Sequence, residues 1–172
     1  RKDNFITNIV FNANGSDVTL DYASNNFGTV TQAADDQIDD LTLRDADAII
    51  LGDLEITGNL SVTAAGAITQ TVDLVVDGAS KTATFAAGAA NNITLGSANN
   101  NFTTVAITTG NDVTLVDAGS IDLGASTVSG TLAVTATAAA STITDSGNLG
   151  LTGNATFTTG AGDTDSPYIS YA

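Results

Sequence analysis

The chain repeats itself, and that limits its possible folds more than any other feature. Val18 to Phe27 (VTLDYASNNF) matches Ile93 to Phe102 (ITLGSANNNF), and Leu41 to Gly52 (LTLRDADAIILG) matches Val113 to Gly124 (VTLVDAGSIDLG). Ile56 to Ala64 (ITGNLSVTA) matches Val128 to Ala136 (VSGTLAVTA), and Ala83 to Ala89 matches Ala155 to Ala161. The offset is 75 residues at the first match, 72 at the next two, 75 around Ile68 and Ile143, and 72 again at the last. Small length changes between strands of fixed length belong in loops. The chain of 172 residues therefore reads as one solenoid segment, 1–172, holding two long copies at about 17–91 and 92–163.

A shorter period lies inside each copy. Natural breaks after Gly110, Gly130, Gly147 and about Asp163 divide the second copy into segments of roughly 16 to 20 residues. Each segment holds runs such as Asp112 to Val116 or Leu132 to Ala136, in which small or aliphatic residues alternate with Thr and Asp. A period of two, rich in Val, Ile and Thr, describes a half-buried strand. Asn14-Gly15, Asp77-Gly78, Ser129-Gly130 and Ser146-Gly147 separate the runs and are expected to turn through positive φ. No sustained helical stripe occurs. The nearest candidate, Gln32 to Leu43, carries Asp35-Asp36 and Asp39-Asp40 and reads better as a bulged turn.

Six Phe and three Tyr are few for a β-sandwich of this length. The expected fold is all-β: a right-handed parallel β-helix of about nine coils, roughly 40 Å long at about 4.8 Å per coil. Val, Ile, Leu and Ala would fill a narrow interior, with Thr, Ser and Asn outside. The one proline, Pro167, falls beyond the repeats, where a missing ladder donor does least harm.

Composition excludes whole classes of chemistry. With no Cys and no His, the chain has no disulfide, no thiolate nucleophile, no imidazole base and no His- or Cys-ligated zinc site. Four Lys+Arg against nineteen Asp+Glu give a net charge of −15, which cannot neutralise a phosphate backbone or favour an anionic membrane surface. No apolar run approaches the roughly 20 residues that span a bilayer, so no membrane insertion is expected. The lack of Met predicts a processed product or a piece of something longer.

The string from Asn111 through Ile121 to Ala136, then Ile143 to Gly147 and Leu151 to Phe157, resembles the repeats of filamentous-haemagglutinin-like proteins. Those are very large bacterial exoproteins with right-handed β-helical shafts. The resemblance runs from about Asp17 to Asp163. It implies an extracellular or cell-surface location and a structural, adhesive role, and it supplies no catalytic residues. Self-association, end to end or lateral, and host or matrix glycans are the partners this reading expects. No enzyme and no nucleic-acid partner is expected. The rival is a carbohydrate-binding or polysaccharide-cleaving β-helix module.

Four features carry site hypotheses. Asp35, Asp36, Asp39 and Asp40, with Asp45 and Asp47 following, form the densest acid cluster. Hard oxygen ligands on a loop would suit Ca²⁺, the one cofactor candidate, whereas the plain reading is a solvated turn. Thr-x-Thr pairs at Thr29/Thr31, Thr82/Thr84, Thr135/Thr137 and Thr142/Thr144 could order water on a flat face, but they do not recur at one coil position. Asn25-Asn26 and Asn99 to Asn101, each followed by Phe, read as turns with Phe27 and Phe102 plugging the interior, or as glycan contacts. Polysaccharide cleavage would need a framed cation or paired acids. Arg44 and Lys81 are the only interior cations, about two coils apart, with no groove expected to frame either; Arg44 becomes Val116 in the second copy, and Lys81 falls at a gap near Asn154.

Overall fold

The structure, a computed structural model, describes residues 6–160. Alternating short runs become short strands, and every pairing between them is parallel. Turn one holds β1 (Ile6–Phe11) and β2 (Ser16–Leu20); turn two holds β3 (Phe27–Gln32) and β4 (Ile38–Asp45). Turn three holds β5 (Ile49–Leu51), β6 (Leu54–Ile56) and β7 (Leu60–Ala64), and turn four β8 (Ile68–Gln70), β9 (Leu74–Val76) and β10 (Thr82–Ala86). Turn five holds β11 (Ile93–Leu95), β12 (Asn101–Phe102) and β13 (Thr104–Thr109). Turn six holds β14 (Val113–Asp117), β15 (Ile121–Leu123) and β16 (Ser126–Val128). Turn seven holds β17 (Leu132–Ala136), β18 (Ile143–Asp145) and β19 (Leu149–Leu151), and β20 (Ala155–Thr159) opens another.

The stack has three faces. The first is an eight-stranded sheet, β1-β3-β5-β8-β11-β14-β17-β20. The other two are joined by a ten-stranded sheet that bends at its long strands. Thus β4 pairs with β6 through Ile38 and with β7 through Leu41 to Asp45. The second face carries β6, β9, β12, β15 and β18; the third carries β7, β10, β13, β16 and β19. No helix long and apolar enough to cross a membrane occurs among the described residues.

The β-solenoid matches the expected architecture, but its coils are longer and fewer: seven turns rather than nine. A turn takes from 19 residues (Ile49 to Ile68) to 25 (Ile68 to Ile93). Breaks placed at Gly residues overcounted the turns because Gly147 sits at a corner within turn seven, between β18 and β19. Seven spacings of about 4.8 Å make the described stack roughly 34 Å long.

Inward side chains stack on their own kind. Ile49, Ile68, Ile93, Val113 and Leu132 form one ladder up the first face, each at most 3 % exposed. Leu41, Leu60, Ala83 and Val105 form another on the third face. Each large aliphatic so buried contributes about 1.5–3 kcal/mol. Phe85 and Phe102 meet edge to face at 6.5 Å and 81°.

The acid-rich segment is mostly strand. Asp35 and Asp36 do occupy a turn, but Asp39 and Asp40 lie in β4, where Ser16–Val18 of β2 faces the longer Ile38–Leu41. The bulge expected there is real, and it is built into a ladder. Pro167 and the end of the second copy lie outside the described residues.

The long sequence repeat is not a whole number of turns. Leu41 of β4, Leu60 of β7 and Ala83 of β10 stand on the third face, whereas their equivalents Val113, Leu132 and Ala155 stand on the first. Ile49 and Ile68 of the first face map to Ile121 and Ile143 of the second, and Leu54 of the second maps to Ser126 of β16 on the third. Each copy therefore spans three turns and one face. The second copy is the first rotated by about a third of a turn and raised by roughly 16 Å.

Candidate functional site

Most polar side chains that are buried in this fold bond from one turn to the next or join the end of a turn to its start. Asp45 ends β4 and accepts hydrogen bonds from the backbone N–H groups of Phe27 and Asp47, both at 2.7 Å. Asp117, its equivalent at the end of β14, accepts from Phe102 and Gly119, again both at 2.7 Å. Both carboxylates are almost wholly buried. Burial raises the Asp117 pKa above the ordinary carboxylate range; its two N–H donors oppose that shift, and neighbouring Asp77 adds to it.

Beside each carboxylate lies an Asn. The Asn25 side chain donates to Leu20 O at 3.1 Å, and that of Asn100 to Leu95 O at 3.3 Å. Ala46 N donates to Asn25 O, and Ala118 N to Asn100 O, both at 2.7 Å. Asn100 does more. Its amide also donates to Gln70 Oε1 (2.9 Å) and Val116 O (3.0 Å), and it accepts from Leu74 N and Gln70 Nε2 (both 2.8 Å). It thus ties turns four, five and six together with no exposure of its own. Phe27 and Phe102 point inward and are buried, as the turn reading of these segments expected.

The four acidic candidates do not converge. Asp36 accepts from Ala13 N (2.6 Å) and Asn14 N (2.7 Å). The Ala13 bond chiefly lowers its pKa, against burial and with help from the Asn14 and Gln37 N–H groups. Asp40 accepts from Asn59 N at 2.6 Å, Asp39 is exposed, and Asp35 takes a left-handed φ of 61°. Among the described residues no group of three or more Asp or Glu could hold a metal ion. Asp112 likewise serves a corner: Thr131 N (2.8 Å) and the Thr131 hydroxyl (2.9 Å) lower its pKa against burial.

Arg44 does line a groove, contrary to the expectation that nothing frames it. The groove, about 390 Å³, runs over the corner between third and first faces, past Arg44, Thr63, Ala64, Ala86 and Thr109. Asp45 is its nearest acid, and that carboxylate is already committed to two backbone donors. Lys81 stands two turns on, beside Thr82 of β10.

The Thr pairs named from sequence scatter over the faces, yet threonines from different strands align. One outward lane of the first face runs Thr29, Ile50, Thr69, Thr94, Thr114, Ala133, Thr156. A second passes Val10, Thr31, Thr71, Gly96, Val116, Thr135 and Thr158. Neither lane holds a charged residue. Pairs sought within one strand could not reveal a ladder that forms between strands.

Sequence reasoning missed Gln70 and the two buried aspartates. The signal for the aspartates was present: Asn25/Asn100, Phe27/Phe102 and Asp45/Asp117 are identical in both copies. Gln70 has no such signature, since Asp145 takes its place in the second copy.

Stacked parallel turns, a small-aliphatic interior and polar groups spent on joining turns define a β-solenoid repeat protein. Residues 6–34, 39–109 and 110–165 match a family described as repeats of unknown function (DUF5649), and the chain belongs to that family. No curated protein and no solved structure matches it.

Proposed function

We propose that the chain is a shaft segment of a large secreted bacterial surface protein, built to extend or form an extracellular fibre or matrix by stacking turn on turn. The observation that carries this reading is where the buried polar groups point. Asp117 and Asn100 bond to adjoining turns, Asp45 ties the end of turn two to its start at Phe27, and Asp45, which borders the Arg44 groove, is spent on backbone N–H groups. Such groups resist separation of turns along the axis, which is what a shaft requires. The ends of the described stack add support. Interior strands β7 and β17 alternate buried and half-buried residues, whereas β2 and β20 have no buried residue. Parallel edges with exposed inward lanes are templates for further turns.

Electron microscopy of the purified chain over a concentration series tests the reading. Linear rods are expected, longer than a single stack and lengthening with concentration. Leu151→Asp with Phe157→Asp, on the last described inward lanes, is expected to shorten them. Single short particles at every concentration would overturn axial stacking. Saturable binding on a glycan array by a chain that forms no rods would favour the carbohydrate-module alternative instead.

A further inference from the structure

We propose that the uncharged first face is a lateral interface, where a second copy of this chain packs face to face. The proposal deepens the shaft reading, turning single rods into pairs. Charge distribution is the first argument. The chain carries −15, yet the outward lanes of the first face hold no ionisable side chain from β1 to β20. The bent sheet differs: Asp39, Asp40, Arg44, Glu55 and Asp122 all lie on its strands. Two such anions can meet across this face without pressing carboxylates together, whereas the second face carries Glu55 and Asp122 and the third carries Arg44.

Area is the second argument. Eight strands at about 4.8 Å and some five residues at about 3.3 Å give roughly 600 Å². A pair would bury about 1,200 Å², the lower edge of standard specific interfaces. Shape agrees. The lanes are short side chains on a regular parallel sheet, which suits sheet-on-sheet packing at about 10 Å. Gly96 leaves a hollow of about 430 Å³ bounded by Thr69, Thr71, Thr94 and Ser97, and a Cβ there would meet nothing within 4 Å. Val10, 61 % exposed, stands on the same face. A twofold pair places this one patch against itself, so complementarity is needed only once.

Asp47, Asp53, Asp73 and Asp112 flank the strands of this face at the corners. Rim acids of two copies would approach one another, so screening by salt should strengthen pairing.

Sedimentation of the 172-residue chain at low and high salt is the test. With axial growth blocked by L151D/F157D, a monomer–dimer equilibrium is expected, tighter at high salt. Thr69→Asp with Thr114→Asp places charge mid-face and should weaken it on the order of a hundredfold. Thr42→Asp with Thr84→Asp changes net charge equally on the third face and should leave it unchanged. Circular dichroism checks folding, and Thr69→Lys with Thr114→Lys substitutes if the Asp pair unfolds. Loss of association with L151D/F157D but not T69D/T114D would overturn lateral pairing and leave the shaft reading standing. A monomer at all concentrations overturns the pairing as well. So would a monomer that sediments with insoluble polysaccharide through Thr69 and Thr114, which would assign the face to glycan.

Discussion

Asn100 and Asn25 occupy the same place in the two copies, yet truncating them should have very different costs. Asn100→Ala removes the side-chain partner of Leu74 N, Leu95 O and Val116 O in a site with no exposure, and leaves Gln70 only Val72 O and Ser97 N. An orphaned buried polar group costs about 1–3 kcal/mol, and Gln70 can turn toward water. The expected loss is about 3–5 kcal/mol, a large part of the roughly 5–15 kcal/mol that holds a domain together. Asn25 is half-buried and, among the described residues, its side chain reaches only Leu20 O, so Asn25→Ala should cost about 0.5–1.5 kcal/mol. Asn100→Asp should be worse than Asn100→Ala, because a carboxylate oxygen would face three acceptors: Gln70 Oε1, Leu95 O and Val116 O. Urea unfolding followed by far-UV circular dichroism measures each cost as a midpoint shift at constant slope. Equal losses at Asn25 and Asn100, within about 0.5 kcal/mol, would refute the view that Asn100 ties three turns together.

Phe85→Ala deletes one half of the edge-to-face pair in a fully enclosed site and should cost about 3–5 kcal/mol by the same unfolding assay. Gly147→Ala should destabilise the fold strongly, because a Cβ there would collide with the backbone of Ala125 in the turn below; a neutral result by thermal melting would contradict that contact. Asp36 and Asp112 have lowered folded pKa values, so the stability they add is present above the ordinary carboxylate value and is lost as pH falls through the folded one. Asp117 has a raised value and acts with the opposite sign: stability declines as pH rises from the ordinary value through the folded one. Melting temperature against pH should therefore lose its acid-limb dependence in part with Asp36→Asn or Asp112→Asn. Asp117→Asn should remove the decline at higher pH.

Strand alternation, parallel stacking and an aliphatic interior were legible in the sequence because period two and internal repetition are local properties of the chain. Turn count was not, because glycines serve two different ends. Gly15 follows Asn14 in a turn where both residues have positive φ, as expected. Gly130 and Gly147 do not; there the neighbouring turn leaves no room for a side chain, through the Asp112 and Asn111 side chains at Gly130 and the Ala125 backbone at Gly147. A glycine that marks close stacking looks the same in sequence as one that marks a reversal, so segments cut at Gly come out too short. The buried carboxylates were hidden for a similar reason: in an Asp-rich chain, the two that point inward differ from the rest only by recurring with Asn and Phe in both copies.

Least legible was the phase of the long repeat, since an offset of 72 or 75 counts residues and says nothing of faces. That one sequence can serve the third face in one copy and the first in the next means that the three sides of the interior are interchangeable. Leu41 and Val113 stand in ladders of the same kind, followed by Leu60 and Leu132, then Ala83 and Ala155. The interchange has a consequence that can be measured. Deleting residues 41–112 joins Asp40 to Val113 and places the Val113 strand where β4 now lies, against β2. Thr19 pairs with Thr42 in the full chain, so Thr114 should become its neighbour in the shortened one. Neighbouring parallel strands lie about 4.8 Å apart, within disulfide reach. Thr19→Cys with Thr114→Cys should then cross-link on oxidation in the shortened chain and not in the full-length chain, where the two sit on different faces several turns apart. A shortened chain that folds by circular dichroism but does not cross-link would show that the faces are not interchangeable, and that the repeat is tied to its own sides by contacts outside the inward ladders.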